Sequence, residues 1–194
     1  MMYRRLLVVS VVLAGLTLAA CRRDSPPPPA PVEEAEEAGP DLDSLRAWED
    51  SVRAAEEAAR LAAERERAMA DARAILEQRV HFDFDESAIR PDSEQVLQQK
   101  LSILNSSPNV RLRLEGHTDE RGSVEYNQAL GSRRAQAVYE WFTQNGLQAN
   151  RFETTSFGEE QPLVAQSTES AWAQNRRVEF VIISGADQIN PPGL

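Results

Sequence analysis

The chain has one cysteine and two histidines among 194 residues, and only 6% of it is aromatic. A lone cysteine excludes an internal disulfide framework and any cysteine-rich metal cluster. Two histidines exclude a three-histidine catalytic zinc site. Positive charge is also scarce: 21 Lys and Arg face 31 Asp and Glu, and the body of the chain contains no Lys/Arg block. Such a surface offers no counterion-releasing patch, so nucleic acid is not an expected partner. Neither Gly-x-Ser-x-Gly nor His-Glu-x-x-His occurs, which removes two common signatures of hydrolytic chemistry.

What is present is distributed unevenly. Residues 1–32 carry a net +3, residues 33–79 a net −7 with no glycine between Pro40 and Phe82, and residues 80–184 a net −5. Eight of the nine Phe and Tyr fall in the last of these stretches, so the core is expected there. Arg4 and Arg5 precede a run from Leu6 to Ala20 whose only polar members are Ser10 and Thr17. Fifteen helical residues reach about 22 Å, short of the roughly 30 Å of a bilayer's hydrocarbon core. A short apolar run behind a basic start predicts a signal peptide over 1–20. The run ends Leu18-Ala19-Ala20-Cys21, which resembles a bacterial lipobox, and the resemblance implies a mature chain that begins at an acylated Cys21. Buried methylenes contribute about 0.8 kcal/mol each, so several acyl chains would hold the protein on a membrane. Arg22 stands where lipoproteins retained at the inner membrane often carry Asp, which favours the outer membrane.

Residues 21–44 hold Pro26–Pro29, Pro31 and the acidic stretch Glu33–Glu37 and predict an extended, solvated tether. From Leu45 the pattern becomes helical: Leu45, Trp48, Val52, Ala55, Ala59, Ala62, Met69 and Leu76 follow a 3-4 spacing, interrupted at Glu66 and Arg73. Glu49–Arg53 and Glu56–Arg60 add i,i+4 support. A helix over 45–78 is predicted. Its stripe is mostly alanine and buries little area, which favours a solitary or weakly paired spacer; an oligomerisation coil is the alternative.

Strands and helices then alternate over 79–184. Val80, Phe82 and Phe84 alternate with His81, Asp83 and Asp85, a half-buried strand. Pro91 suits a first helical turn, and Asn105-Ser106-Ser107-Pro108 ends that helix. Val110, Leu112 and Leu114 make a second strand, Gly116–Gly122 a polar loop, and Tyr126–Asn145 a second helix capped by Gly146. Phe152–Phe157 reads as a strand, Thr168–Asn175 as a short helix and Val178–Ile183 as a final strand. The order βαβαβαβ predicts an α/β two-layer sandwich with its helices on one face. Residues 185–194 are expected to form a loose tail.

One charge is out of place. Arg134 lies four residues after Leu130 and four before Val138, on or beside the apolar stripe of the second helix, with Asn127 seven residues earlier on the same side. A guanidinium there must find an anion or water, and the preceding loop supplies Asp119 and Glu120. Two arrangements stay open. Arg134 and Asp119 neutralise each other, or they stay apart and bracket a zwitterion, Arg134 on its carboxylate and Asp119 on its ammonium.

Glu115-Gly116-His117-Thr118-Asp119-Glu120-Arg121-Gly122, then Glu125-Tyr126-Asn127 and Ala129-Leu130-Gly131-Ser132-Arg133-Arg134-Ala135, resemble the OmpA-like peptidoglycan-binding domain family. Phe82-Asp83-Phe84-Asp85 and Asn175-Arg176-Arg177-Val178-Glu179 match it as well. The stretch from His117 to Asn127 is most similar to the lipid-anchored members. The resemblance implies a pocket for the diaminopimelate of a peptidoglycan stem peptide, with Asp119 and Arg134 as its two main ligands. Phe84 and Asp85 would line it from the first-strand loop, Leu130 would give an apolar contact, and Arg121 and Asn127 would stand beside it. At least one of Arg176 and Arg177 is expected to pair structurally across the sheet, and Glu86, Glu159 and Glu160 to be solvated loop charges. The implied partners are peptidoglycan, the outer membrane through the lipid anchor, and a Tol propeller protein. No cofactor or metal is expected. A scaffold working through the long helix and a cell-wall hydrolase are the competing functions, the second lacking a nucleophile with an oriented base.

Overall fold

The computed structural model describes residues 41–193; the expected signal peptide, Cys21 and the tether up to residue 40 lie outside them. The first element is α1 (Leu42–Glu77). It begins three residues earlier than the apolar spacing predicts, because Asp41 accepts hydrogen bonds from the Asp43 N–H at 3.2 Å and the Ser44 hydroxyl at 3.1 Å, the usual work of a residue opening a helix. Residues 42–67 are exposed apart from half-buried Val52. No helix among the described residues is long and apolar enough to cross a membrane.

Four strands make one sheet: β1 (Val80–His81), β2 (Arg111–His117), β3 (Phe152–Gly158) and β4 (Arg177–Ser184). Their spatial order is β1-β4-β2-β3, with β4 antiparallel to both neighbours and β2 parallel to β3. The connecting helices are α2 (Pro91–Ser106), α3 (Val124–Gln144) and α4 (Glu169–Asn175), with a 3-10 turn over Ala149–Arg151. This is the expected α/β alternation. Leu112, Leu114, Val178, Phe180 and Phe152 meet Leu97, Leu104, Val138 and Phe142 in one hydrophobic core. Phe142 stacks on Phe152 and stands edge-on to Phe180, arrangements that suit aromatic quadrupoles. Gly116 on β2 and Gly131 on α3 set how closely these elements approach. A Cβ on Gly116 would lie 1.9 Å from the Gly131 carbonyl oxygen, so no side chain fits there, and the first half of α3 is drawn against the end of β2.

Four sequence expectations need correction. The first strand stops at His81 rather than running to Asp85. Phe82 makes one more backbone bond, to the Arg176 carbonyl at 3.0 Å, and the chain then turns, with Asp85 in the left-handed region at φ 58°. The second strand continues through Gly116 and His117, because β3 pairs with both and β4 with Gly116, and this shortens the polar loop. The C-terminal segment is docked. Ile189 is in the core, and the Asn190 N–H donates to the Ser107 hydroxyl at 2.8 Å. Finally, the 78/79 boundary divides helix from strand but not the core, since Ala72 and Leu76 of α1 belong to that core.

Lys100, the only lysine of the chain, fastens this junction. Fully buried, it donates from Nζ to the carbonyls of Ile75 at 2.6 Å and Leu76 at 2.7 Å, adding a second partner to Ile75, which also accepts the Gln78 N–H at 3.2 Å, and capping the last carbonyls of α1. Burial lowers its pKa to about 6, against an opposing pull from Glu77. Between about pH 6 and the unfolded lysine's ordinary value, the unfolded chain therefore holds a proton that the folded chain lacks. Stability is expected to rise with pH across that window. Denaturant melts of the wild type and Lys100→Met between pH 6 and 10 check this: the slope should be present in the first and missing in the second.

Candidate functional site

Three segments converge at one end of the sheet: the turn after β1, the loop between β2 and α3, and the first three turns of α3. The loop is anchored at its start by the Thr118 N–H, which donates to the Gly158 carbonyl at 2.8 Å. Ser123 closes it by accepting the Tyr126 N–H at 3.2 Å as the cap of α3. Between the segments lies a cleft of about 210 Å³ lined by Phe84, Asp85, Asp119, Arg121, Asn127, Leu130 and Arg134, with Thr118, Gly122 and Tyr126. The structure thus brings all seven residues singled out from the sequence to a single cleft.

Arg134 is completely buried. Its three nitrogens each donate to a backbone carbonyl: Nε to Glu86 at 2.8 Å, Nη1 to His117 at 2.8 Å and Nη2 to Asp83 at 3.1 Å. The early end of β1 follows from this, because a turn wrapped around a guanidinium cannot also stay in the sheet ladder. Burial lowers the Arg134 pKa to about 10, partly offset by Asp119, so it stays cationic at neutral pH. A guanidinium has five N–H groups, and these three bonds leave one on each Nη.

Asp119 is 4% exposed and pairs with Arg121 Nη2 at 2.7 Å and Arg176 Nη1 at 3.2 Å. Burial alone would raise its pKa, but the hydrogen bonds from Arg121 and Arg176 outweigh it and hold the carboxyl below the ordinary range. A direct Asp119–Arg134 ion pair is not formed among the described residues, although both side chains face the cleft. Of the two arrangements the sequence left open, the internal pair is therefore not the one adopted.

The walls are equally well defined. The Arg121 guanidinium lies between two rings, 4.0 Å from the Phe84 centroid and 4.2 Å from that of Trp172. Asn127 donates to Glu159 at 2.5 Å and to the Arg121 carbonyl at 3.2 Å, so Glu159 is a partner of the cleft rather than a solvated loop charge. The Tyr126 hydroxyl donates to Asp85. Arg177 is structural, bonded to Glu179 at 2.7 Å and to the carbonyls of Asn175 and Gln161. Arg176 instead pairs with Asp119 behind the cleft and also binds Glu169 at 3.1 Å. Sequence reasoning missed Trp172 and Glu169. Both lie on α4, far along the chain, and nothing in their spacing says that α4 closes over the loop after β2.

On the opposite face of β2, Glu115, His117 and Glu179 bring ligand-type atoms within 4.8 Å of one another. His117 is buried with both ring nitrogens unpartnered, and burial lowers its pKa to about 4. Glu115 already pairs with Arg113, and Glu179 with Arg79 and Arg177. Three guanidiniums against two carboxylates leave the cluster positive, which works against a metal cation.

A model of the OmpA family matches residues 81–176, and the chain belongs to that family. Its relatives there include peptidoglycan-associated lipoproteins. It is 44% identical over 105 residues to the one from Pasteurella multocida, covering 53% of this chain and 70% of the relative. To the one from Agrobacterium fabrum it is 43% identical over 104 residues, covering 54% of this chain and 59% of that protein. The crystal structure of the peptidoglycan-associated lipoprotein from Burkholderia pseudomallei superposes with a TM-score of 0.53 at 39% identity, covering 54% of this chain and 89% of that one. The chain thus spans about three fifths of the Agrobacterium relative.

Proposed function

We propose that this protein is a non-enzymatic, lipid-anchored clamp that binds peptidoglycan in the Asp119–Arg134 cleft and ties the outer membrane to the cell wall from the periplasmic side. The observation that carries the reading is the pairing pattern at the cleft. A buried carboxylate and a buried guanidinium face one small space, do not neutralise each other, and stand at the positions where the family holds its ligand. The ligand proposed is the diaminopimelate of a stem peptide, whose distal centre carries both an ammonium and a carboxylate. Arg134 offers the carboxylate two N–H donors not used by the fold, and Asp119 is the only carboxylate buried in the cleft. Cys21 is proposed as the acylated anchor. A role in the Tol–Pal system, with a Tol propeller protein docking on the loop Glu115–Asn127, belongs to the same proposal and rests on the likeness of that loop.

Co-sedimentation of the full chain with purified sacculi tests it. The wild type should pellet with cell wall, and Asp119→Asn should lose most of that binding at unchanged circular dichroism. A wild type that stays in the supernatant would overturn the proposal. So would release of soluble muropeptides during the incubation, which would make the protein a hydrolase.

A further inference from the structure

Asp119 has no acceptor site left for a ligand. Its Oδ1 accepts from the Arg121 backbone N–H at 3.2 Å and from Arg121 Nε at 3.3 Å. Its Oδ2 accepts from Arg121 Nη2 at 2.7 Å and Arg176 Nη1 at 3.2 Å. A carboxylate offers about four lone-pair sites, and all of them are in use. Two of the four donors come from one side chain, that of Arg121, which is therefore both part of the cleft wall and a cation lodged where a ligand ammonium is proposed to sit.

The surroundings of Arg121 let it leave Asp119 without leaving its place. Its guanidinium carbon lies over the rings of both Phe84 and Trp172, and the Trp172 indole is fixed by its own bond from Nε1 to Glu120 at 3.0 Å. On the side away from Asp119, Arg121 Nη1 already lies 3.4 Å from Glu169 Oε2. A slot of two aromatic faces holds a planar cation in position while permitting it to turn within the slot.

We infer that Arg121 is a built-in competitor of the ligand: it occupies Asp119 in the empty cleft and turns within the Phe84–Trp172 slot toward Glu169 when an ammonium-bearing ligand arrives. Turning withdraws Nε and Nη2 from Asp119 and opens one acceptor on each oxygen, while the Arg121 N–H and Arg176 stay to hold the carboxylate. An ammonium with three donors can fill those two places. The device sets a threshold: an amine alone exchanges one charged contact for another and gains little, so only a ligand that also engages Arg134 binds with net advantage. The inference rests on the proposed assignment of Asp119 to a ligand amine.

The test is calorimetric titration of the full chain at physiological salt with N-acetylmuramyl-L-alanyl-D-glutamyl-meso-diaminopimelate. Arg121→Gln should bind this probe more tightly than wild type, by roughly tenfold. That sign is diagnostic, because the probe is anionic and loss of a nearby positive charge would by itself weaken binding. Glu169→Gln removes the charge of an exposed side chain while leaving a carbonyl oxygen to accept from Arg176, and should weaken binding about threefold, since it removes the anion toward which Arg121 turns. Arg121→Lys should fall between wild type and Arg121→Gln. If Arg121→Gln and Glu169→Gln both bind no better than wild type and no worse, or if Arg121→Gln binds more weakly, while Asp119→Asn loses affinity, the competitor role is overturned and Asp119 remains the amine site. If Asp119→Asn binds as the wild type does, the amine assignment and the competitor role fall together.

Discussion

Replacing Arg134 with alanine is expected to lower the stability of the domain by about 3–5 kcal/mol as well as to abolish ligand binding. The reason is its three acceptors. The carbonyls of Asp83, Glu86 and His117 each accept a charged donor from this guanidinium, and although Asp83 also accepts the Glu86 N–H at 3.3 Å, all three would lose that donor while staying desolvated. Phe82, whose ring centroid lies 5.3 Å from the guanidinium carbon, would also lose packing. Arg134→Lys should recover little, because one ammonium on a flexible stem cannot reach three carbonyls set around a planar fork. Urea melts of the two variants and the wild type measure the effect. Arg151 is the control. It is used in the same way, donating to the carbonyls of Val110 at 3.0 Å, Leu104 at 2.9 Å and Ser107 at 2.7 Å, but it is remote from the cleft. Arg151→Ala should therefore cost stability while leaving affinity intact. An Arg134→Ala protein that melts like the wild type would show that water satisfies the three carbonyls.

Buried cations also mark the boundary of what could be read from the sequence. The alternation of strands and helices was legible because each element carries its own period, and the ends of α2 and α4 were legible because Pro91 and Thr168 are local signals. Arg134 was recognisable as a charge on an apolar face, and a partner for it was rightly demanded. The expected solutions were an anion or water; the one adopted is the backbone. Backbone carbonyls leave no trace in a sequence, so the turn they impose on Asp83–Glu86 could not be foreseen, and the alternation alone places Phe84 on the buried side of a half-buried strand although it is 55% exposed at the cleft. The same blindness covers Lys100 beneath the end of α1. Ile189 illustrates a different limit. One apolar residue in a polar tail has no period, and its place in the core is decided by a gap between distant elements. The cleft was more legible than the fold around it, because a family motif fixes residue identities where chemistry requires them, while Trp172 and Glu169 reach it through tertiary packing alone.

The second large effect concerns the ligand. A stem peptide with lysine in place of diaminopimelate should bind about 10- to 150-fold more weakly, the equivalent of a charged hydrogen-bonded contact of roughly 1.5–3 kcal/mol. Lysine keeps the ammonium proposed for Asp119 but has no distal carboxylate, so the two N–H groups of Arg134 that the fold does not use would be covered without an acceptor. The fold already satisfies the other three, which limits the penalty to those two donors and keeps it below that of an entirely unpaired buried charge. Amidation of the distal carboxylate should act in the same direction with a smaller loss, since a carbonyl oxygen remains to accept one of the donors. Arg121 sharpens the contrast. A lysine amine arriving at Asp119 must displace a resident guanidinium without any compensating bond elsewhere, whereas diaminopimelate gains at Arg134 what it exchanges at Asp119. Titration of the full chain with the two tripeptides, at matched ionic strength, measures the ratio. Equal affinity would falsify the two-ended recognition of a zwitterion and leave Arg134 with a purely structural role, holding the Asp83–Glu86 turn through the same three carbonyls that make it indispensable to the fold.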